Sequence, residues 1–335
     1  METQPTFASE RDRVLARFAR PTADGVTLAV VSDVHVSSEE TGTWKVFHRT
    51  ESRLATAVAD ANRLGLDGVV FAGDLTKDGS PAEFAAVDSL LDELAVPYVA
   101  VPGNHDVPKS FDPHETPALD AFVESYTPGS LPFRTRFGGV DVIGLNSAAA
   151  PDGSLEDTHG GRISDDQIEW LDATVEPDRP TVVVLHHPIF SIREHVPTFS
   201  DSDHLQLANA AAVNAALARN DVDLVVSGHV HWPAAARVDG VSHLTTPAGC
   251  SFPPAYLLFD VSPGGTSVSL VPLADEAGAR EAVDHAARDG ARDGTLLENA
   301  EGGYFDAFPL VDEAGIDPRA GSTPTESRTG LPLHR

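Results

Sequence analysis

Residues 68–106 read GVVFAGDLTKDGSPAEFAAVDSLLDELAVPYVAVPGNHD. Gly68–Phe71 is a short Val-rich run bounded at once by Gly73-Asp74, the pattern of a buried strand that stops abruptly. Ser80 stands where an N-cap belongs and Pro81 where proline suits a first helical turn, so a helix is predicted over Pro81–Leu94. Tyr98–Val101 is a second buried strand, closed by Gly103-Asn104-His105-Asp106. Strand, helix and strand in this order describe a βαβ unit of a parallel sheet, with polar residues left at the carboxyl end of each strand.

The same grammar extends in both directions. Val26–Val31, Thr181–Leu185 and Leu224–Val226 read as buried strands, and helices are predicted at Glu51–Leu64, Asp165–Thr174 and Asp203–Arg219. Three pairs of runs break the alternation and read as hairpins: Phe133–Phe137 with Val140–Leu145 around Gly138-Gly139, Ala235–Val238 with Val241–Thr246 around Asp239-Gly240, and Ala255–Val261 with Thr266–Val271 around Pro263-Gly264-Gly265. The late part of the chain is therefore expected to supply a second, more antiparallel sheet. An amphipathic helix follows at about Asp275–Asp289, and Pro, Gly, Ser and Thr dominate from Ile316 onward.

Five polar clusters sit directly after apolar runs: Asp33-Val34-His35, Gly73-Asp74, Gly103-Asn104-His105-Asp106, His186-His187 and Gly228-His229-Val230-His231. Placed beyond strand ends, where open α/β sheets bind ligands, they can converge on one rim. Asp33 and His35, and again His229 and His231, are two apart and would share a side if the chain there were extended. Asp74, Asn104 and His186 complete a set of three oxygen donors and four imidazoles, a mixture suited to two divalent ions of borderline softness with positions left open for water and substrate. Two ions about 3.5–4 Å apart can activate water and steady both oxygens of an in-line displacement at phosphorus. His105 has no ligand duty and is placed to assist the leaving group, with Asp106 available to orient it.

This ordered set resembles the calcineurin-like metallophosphoesterase superfamily over about Val26 to His231. The resemblance implies an α/β fold of two mixed β-sheets sandwiched between helices, in four αββα layers. It implies one metal held by Asp33, His35, Asp74 and His231, and another by Asp74, Asn104, His186 and His229, with Mn, Fe, Zn or Co as the ions. It further implies a metal-bridging hydroxide as nucleophile, His105 acting on the leaving group, and His187 standing behind the ligands. Pro102-Gly103-Asn104-His105-Asp106 and His186-His187-Pro188 are most similar to the class III cyclic-nucleotide phosphodiesterase branch, and Lys77, Asp78 and Asp106 depart from the protein phosphatases. Lys77 also stands where purple acid phosphatases carry a tyrosine ligand. The implied substrate is a cyclic nucleotide or another small phosphodiester; a general phosphomonoesterase on the same site and a non-catalytic scaffold are the competing readings. His159, Arg193 and His195 are candidate substrate contacts, Ser191–His204 a candidate lid, and Trp44, Phe47 and His48 either a base-stacking wall or core.

Residues 1–24 are read as an extension, 25–274 as the catalytic domain, 275–315 as a helical or irregular extension and 316–335 as a flexible tail. With no signal-peptide apolar stretch, no run near the ~20 apolar residues of a membrane span and only Cys250, a cytoplasmic protein is expected, and homodimerisation is a reasonable expectation. Its 51 Asp and Glu outweigh 23 Lys and Arg, a formal charge of -28, which disfavours tight binding to a nucleic-acid backbone. The acids are dispersed along the chain, and self-repulsion of this size is relieved by a short Debye length, pointing to a protein that works in molar salt. Far-UV circular dichroism should accordingly be lost in dilute buffer and regained toward multimolar salt; a spectrum indifferent to salt rules this out.

Overall fold

The computed structural model describes residues 13–37, 41–109, 115–148, 160–197, 205–288 and 293–315. His159 and the expected tail lie outside these residues, as does the part of the expected lid at 198–204.

Two sheets form. The first runs β13-β1-β12-β11-β2-β3-β4, with β1 Arg13–Phe18, β2 Val26–Val31, β3 Gly68–Phe71, β4 Tyr98–Ala100, β11 Ala255–Ser262, β12 Gly265–Pro272 and β13 Val311–Asp312. The second runs β5-β6-β7-β8-β10-β9, with β5 Phe133–Phe137, β6 Val140–Gly144, β7 Thr181–Val184, β8 Leu224–Ser227, β9 Ala234–Val238 and β10 Val241–Thr245. The β2-β3-β4 and β6-β7-β8-β10 stretches are parallel, and their flanking hairpins are antiparallel.

Apart from β1 and β13, the strands were legible, but their partition between the sheets was not. The hairpin β11–β12 does not join the second sheet: β11 pairs antiparallel with β2, Leu257 opposite Val30, so it extends the first. The strands β7 and β8, readable as more of the first parallel sheet, instead form the centre of the second. Sheet membership depends on which edge a returning strand meets, and the hydrophobic pattern is the same for either edge. Residues on both sides of the expected domain contribute as well, since β1 pairs with β12 and β13 with β1.

The layers follow from strands buried on both faces. Leu28 and Val30 of β2 point with Val182, Val184 and Val226 into the core between the sheets, while Ala29 and Val31 face the opposite way. There they pack with Leu54 and Val58 of α1 (Thr50–Leu64), Phe84 and Val87 of α2 (Pro81–Leu91) and Phe122 of α3 (Leu119–Tyr126). On the far side, Ile143, Val183 and Val225 pack against Leu171 of α4 (Asp165–Thr174) and Val213 and Leu217 of α5 (Ala210–Arg219). This is the expected αββα arrangement. Ser80 caps α2 through the Glu83 N–H, and the Glu83 carboxylate returns to the Ser80 N–H in a complete capping box. The short α3, without a side-chain cap, gave no sequence signal. α6 (Glu276–Arg288) and α7 (Asp293–Glu301) complete the described helices, none of which is long and apolar enough to cross a membrane.

A buried His243 on β10 donates Nε2–H to Asn214 Oδ1 at 2.8 Å, and burial pushes its pKa down to about 4. The unfolded chain binds a proton below the ordinary value of about 6.5 and the folded chain does not, so this position withdraws stability as pH falls from about 6.5 to 4. Denaturant titrations should find that His243→Gln removes on the order of 3 kcal/mol of that acid-side loss, with little change in slope above pH 7.

Candidate metal centre

All five clusters meet where the carboxyl ends of strands from both sheets abut, rather than along one rim of a single open sheet. Asp33 and His35 follow β2, Asp74 follows β3, Asn104 and His105 follow β4, His186 follows β7, and His229 and His231 follow β8. Apart from half-buried His105 these residues are almost fully withdrawn from solvent.

Their backbone is not the extended one that period-two spacing predicted. Asp33 and His35 have φ of 51° and 49°, His229 and His231 of 70° and 57°, and Asp74 of 55°. Non-glycine residues seldom adopt positive φ, and such conformations persist only where surrounding structure fixes them. Here that structure is a lattice of main-chain bonds between loops: Asp33 N–H to Gly73 O and His35 N–H to Asp74 O, both 3.0 Å, and Val36 N–H to Leu75 O at 2.8 Å. Gly73 is required at its turn, because a Cβ there would lie 2.5 Å from His186 Nδ1. Gly228 is required by packing, since its Cβ would lie 2.1 Å from Ser32 Oγ and 2.7 Å from Asp33 Oδ2.

Asp74 is common to two groups of ligand-type side chains. Asp74 Oδ2 lies 3.3 Å from Nε2 of His35 on one side and 3.3 Å from Nε2 of His186 on the other. On the first side His231 Nε2 stands 3.1 Å from Asp33 Oδ1, and on the second Asn104 Oδ1 is 3.2 Å from His186 Nε2. His229 offers a donor atom within 4.8 Å of Asp74 and His186. His186 donates Nδ1–H to Ala72 O at 2.8 Å, leaving the Nε2 lone pair for the centre, and His231 Nδ1 meets Ser251 Oγ at 2.9 Å. Such outer contacts fix tautomer and ring orientation. Ser32 Oγ and the His229 N–H donate to the Asp33 carboxylate at 2.7 and 2.9 Å.

The electrostatics favour charge where a cation would need it. Burial opposes ionisation of Asp74, yet the imidazoles of His186, His105 and His35 hold it well below the usual carboxylate value. Asp33 is likewise lowered by His231 against the cost of burial. Burial, with the Lys45 charge beside it, pushes His35 well below 6.5, and its Nδ1 is buried without a partner. Burial also opposes charge on His186, but Asp74 and Asp33 raise it to about 9. Two ionised carboxylates among inward-facing imidazole nitrogens fit divalent ions, which would supply the positive charge this cavity otherwise draws from protonated histidine.

The remaining candidates divide. His105 Nδ1 hydrogen-bonds the Lys77 carbonyl, and its ring packs edge-on against His35 at 4.6 Å. Asp106, expected to orient that ring, does something else: its carboxylate accepts N–H bonds from Leu75, Thr76 and Gly103 at 2.9–3.1 Å and the Thr76 hydroxyl at 2.8 Å. It clamps the Asp74 loop to the Asn104 loop. Sequence adjacency to His105 was misleading because the intervening turn sends the two side chains to opposite tasks. His187 packs on His229 at 4.5 Å and bonds Ser147 Oγ at 2.9 Å, behind the centre. His195 packs against Phe190 with Nε2 buried and unpartnered, directly after the turn Ile192–Glu194, in which Arg193 is exposed. Of the proposed wall, Trp44 alone lies over the centre, 5.1 Å from the His231 ring, while Phe47 is core.

Lys45, Ser32 and Ser251 were not singled out from sequence. Lys45 Nζ donates to His35 Nε2 at 3.1 Å, and its only advance signal was that it is one of three lysines, with Lys77 and Lys109, in the chain.

The model of the family described as calcineurin-like phosphoesterase matches residues 26–233. The chain belongs to that family. It is a metal-dependent phosphoester hydrolase by this membership and by its relatives. Among curated proteins it is 28% identical to a 3′,5′-cyclic-nucleotide phosphodiesterase of Nostoc over 229 residues, 67% of this chain and 79% of the relative. It is 29% identical to a cAMP/cGMP dual specificity phosphodiesterase of Mycobacterium tuberculosis over 212 residues, 60% of each chain. These names agree with the branch read from Pro102–Asp106 and His186–Pro188. A dimetal phosphatase from Danio rerio superposes with a TM-score of 0.61 over 75% of this phosphoesterase and 97% of that chain, at 18% identity, which supports the fold.

Replacing Asp106 by Asn exchanges an acceptor for an amide that would face the Leu75, Thr76 and Gly103 N–H groups. The loss should be about 2–3 kcal/mol of stability together with at least a tenfold fall in metal retention on dialysis, measured by denaturation and elemental analysis.

Proposed function

We propose that this phosphoesterase hydrolyses small phosphodiesters, cyclic nucleotides foremost, at a centre of two divalent ions. The observation that carries the reading is the Asp74 carboxylate oxygen, equidistant at 3.3 Å from His35 Nε2 and His186 Nε2, the position of a ligand shared by two ions. Asp33, His35, Asp74 and His231 would hold one, and Asp74, Asn104, His186 and His229 the other. Mn, Fe, Zn and Co all suit mixed carboxylate and imidazole shells. Ions held by these residues would supply the positive charge that activates water at neutral pH and neutralises the phosphate oxygens.

The residues of the chain supply orientation and the proton. Asp74 Oδ1 accepts the His105 N–H at 2.9 Å, so the residue that joins the two half-sites also positions the main chain of the leaving-group histidine. With Nδ1–H donated to Lys77 O, the His105 ring keeps Nε2 as the nitrogen that would act on the leaving group. Burial and the Lys45 and Lys109 charges push this ring down to about 3, with Asp74 pulling the other way, so it rests neutral. A phosphodiester anion beside Nε2 raises its proton affinity, and a proton taken up there from water is handed to the departing alkoxide. Lys45 adds positive charge at the same mouth. The names of the cyclic-nucleotide phosphodiesterase relatives favour a diester over a monoester.

Metal-loaded protein assayed against 3′,5′-cyclic AMP, 2′,3′-cyclic AMP, simple monoesters and a bis-aryl phosphate should prefer diesters. Asp74→Asn should reduce every rate to background and lower bound metal. His105→Ala should cost 10²–10⁴-fold on a cyclic nucleotide, whose alkoxide needs a proton, and much less on the aryl ester, whose leaving group does not. Equal losses on both esters would remove the proton role from His105, and an Asp74→Asn variant as active as wild type would sink the shared-ligand reading.

A further inference from the structure

A second cluster of ligand-type side chains lies outside the centre, and hydrolysis makes no use of it. His48, on the 3₁₀ turn Phe47–Arg49, meets Glu281 and His285 of α6, with one donor atom from each within 4.8 Å of the others. Glu281 and His285 are four residues apart on a helix, the spacing that stacks two side chains on one face and presents them to one ion. His285 is buried and donates Nδ1–H to the Thr43 carbonyl, which leaves Nε2 as an acceptor and fixes the ring. The His48 and His285 rings lie 5.8 Å apart. Glu281 is held on both oxygens, Oε1 by His48 Nε2 at 2.7 Å and Oε2 by Arg49 Nε at 2.8 Å.

We propose that His48, Glu281 and His285 form a separate site for a divalent ion of the Zn²⁺, Co²⁺ or Ni²⁺ type. Two imidazoles and one carboxylate match the ligand taste of these ions, whereas Mg²⁺ and Ca²⁺ seek oxygen shells. The fourth position opens to water, because the His48 and Glu281 side chains are 25% and 26% exposed and give an ion a way in. Glu281 is ionised: its modest burial is outweighed by the Arg49 and His48 hydrogen bonds, which hold its pKa below the ordinary value. Arg49 keeps Oε2 while the ion takes Oε1 from His48, whose ring proton moves to Nδ1. The positive charge this adds is welcome in a chain with a formal charge of -28.

The site joins α6 to the segment Thr43–His48, which also carries Trp44 over His231 and Lys45 beside His35. An ion there staples that wall of the catalytic cleft to the C-terminal part of the chain.

Stripped full-length protein reloaded with Co²⁺ and freed of excess by gel filtration should retain one more equivalent than Glu281→Gln or His285→Ala, by elemental analysis. In an Asp74→Asn background, where the catalytic ions are weakened, that extra equivalent should persist and should again vanish on adding Glu281→Gln; this separates the inference from the hydrolytic reading. The extra Co²⁺ should give a visible d–d band absent from the Glu281→Gln variant, which should keep its diesterase rate within about twofold at saturating metal. Equal metal content and superimposable Co²⁺ spectra in wild type and in a Glu281→Gln variant whose far-UV circular dichroism matches wild type would overturn the site and leave His48–Glu281–Arg49 as a hydrogen-bonded bridge only.

Discussion

Two carboxylates buried side by side, Asp33 at 0% and Asp74 at 2% exposure, are the constraint around which this protein is organised. Removed from water, they demand positive charge and hydrogen-bond donors, since unpaired buried charge is among the most costly features a fold can contain. The surrounding loops meet that demand in layers. Ser32 Oγ and the His229 N–H donate to Asp33, the His105 N–H donates to Asp74, and four imidazoles close the cavity. The loops tolerate positive φ at five of the candidate ligands because the bonds between them leave no alternative path for the chain.

Those loops are held by the sheets, and the sheets by apolar strands buried on both faces. Because β2, β3 and β4 lie in one sheet and β7 and β8 in the other, the centre forms across the seam between them. Each ion of the proposed pair would therefore draw ligands from both sheets, Asp33 with His231 and Asp74 with His186. A metal centre built this way reports on the packing of the whole domain. Asp106 shows the same economy on a smaller scale: one carboxylate ties the loops after β3 and β4 together, although burial and the nearby Asp74 raise it to about 6.

Much of this was legible in the chain. Val-rich runs followed by Gly-Asp, Gly-Asn-His-Asp or His-His mark strands that end in donors, and Ser80-Pro81 with Glu83 marks the start of α2. The hairpin glycines at 138–139 and 240 mark the reversals that flank the parallel core. Other features left no mark. β1 and the two-residue edge strand β13 lie in segments that read no differently from an extension, and Lys45 came to the centre only through the return of a loop to His35. His48 likewise looked like part of an aromatic wall until the fold turned it toward α6.

Sequence alone determined the donor types, their order and the chemistry they permit, because ligand identity is covalent and the spacing after each strand is local. The tertiary structure decided which donor atoms share a point, and with it that Asp74 stands between His35 and His186, that Asp106 braces loops instead of steering His105, and that β11–β12 extends the first sheet. Those outcomes depend on long-range pairing and on backbone φ values forced by neighbouring loops. A hydrophobic pattern that is satisfied equally by either sheet cannot encode them locally.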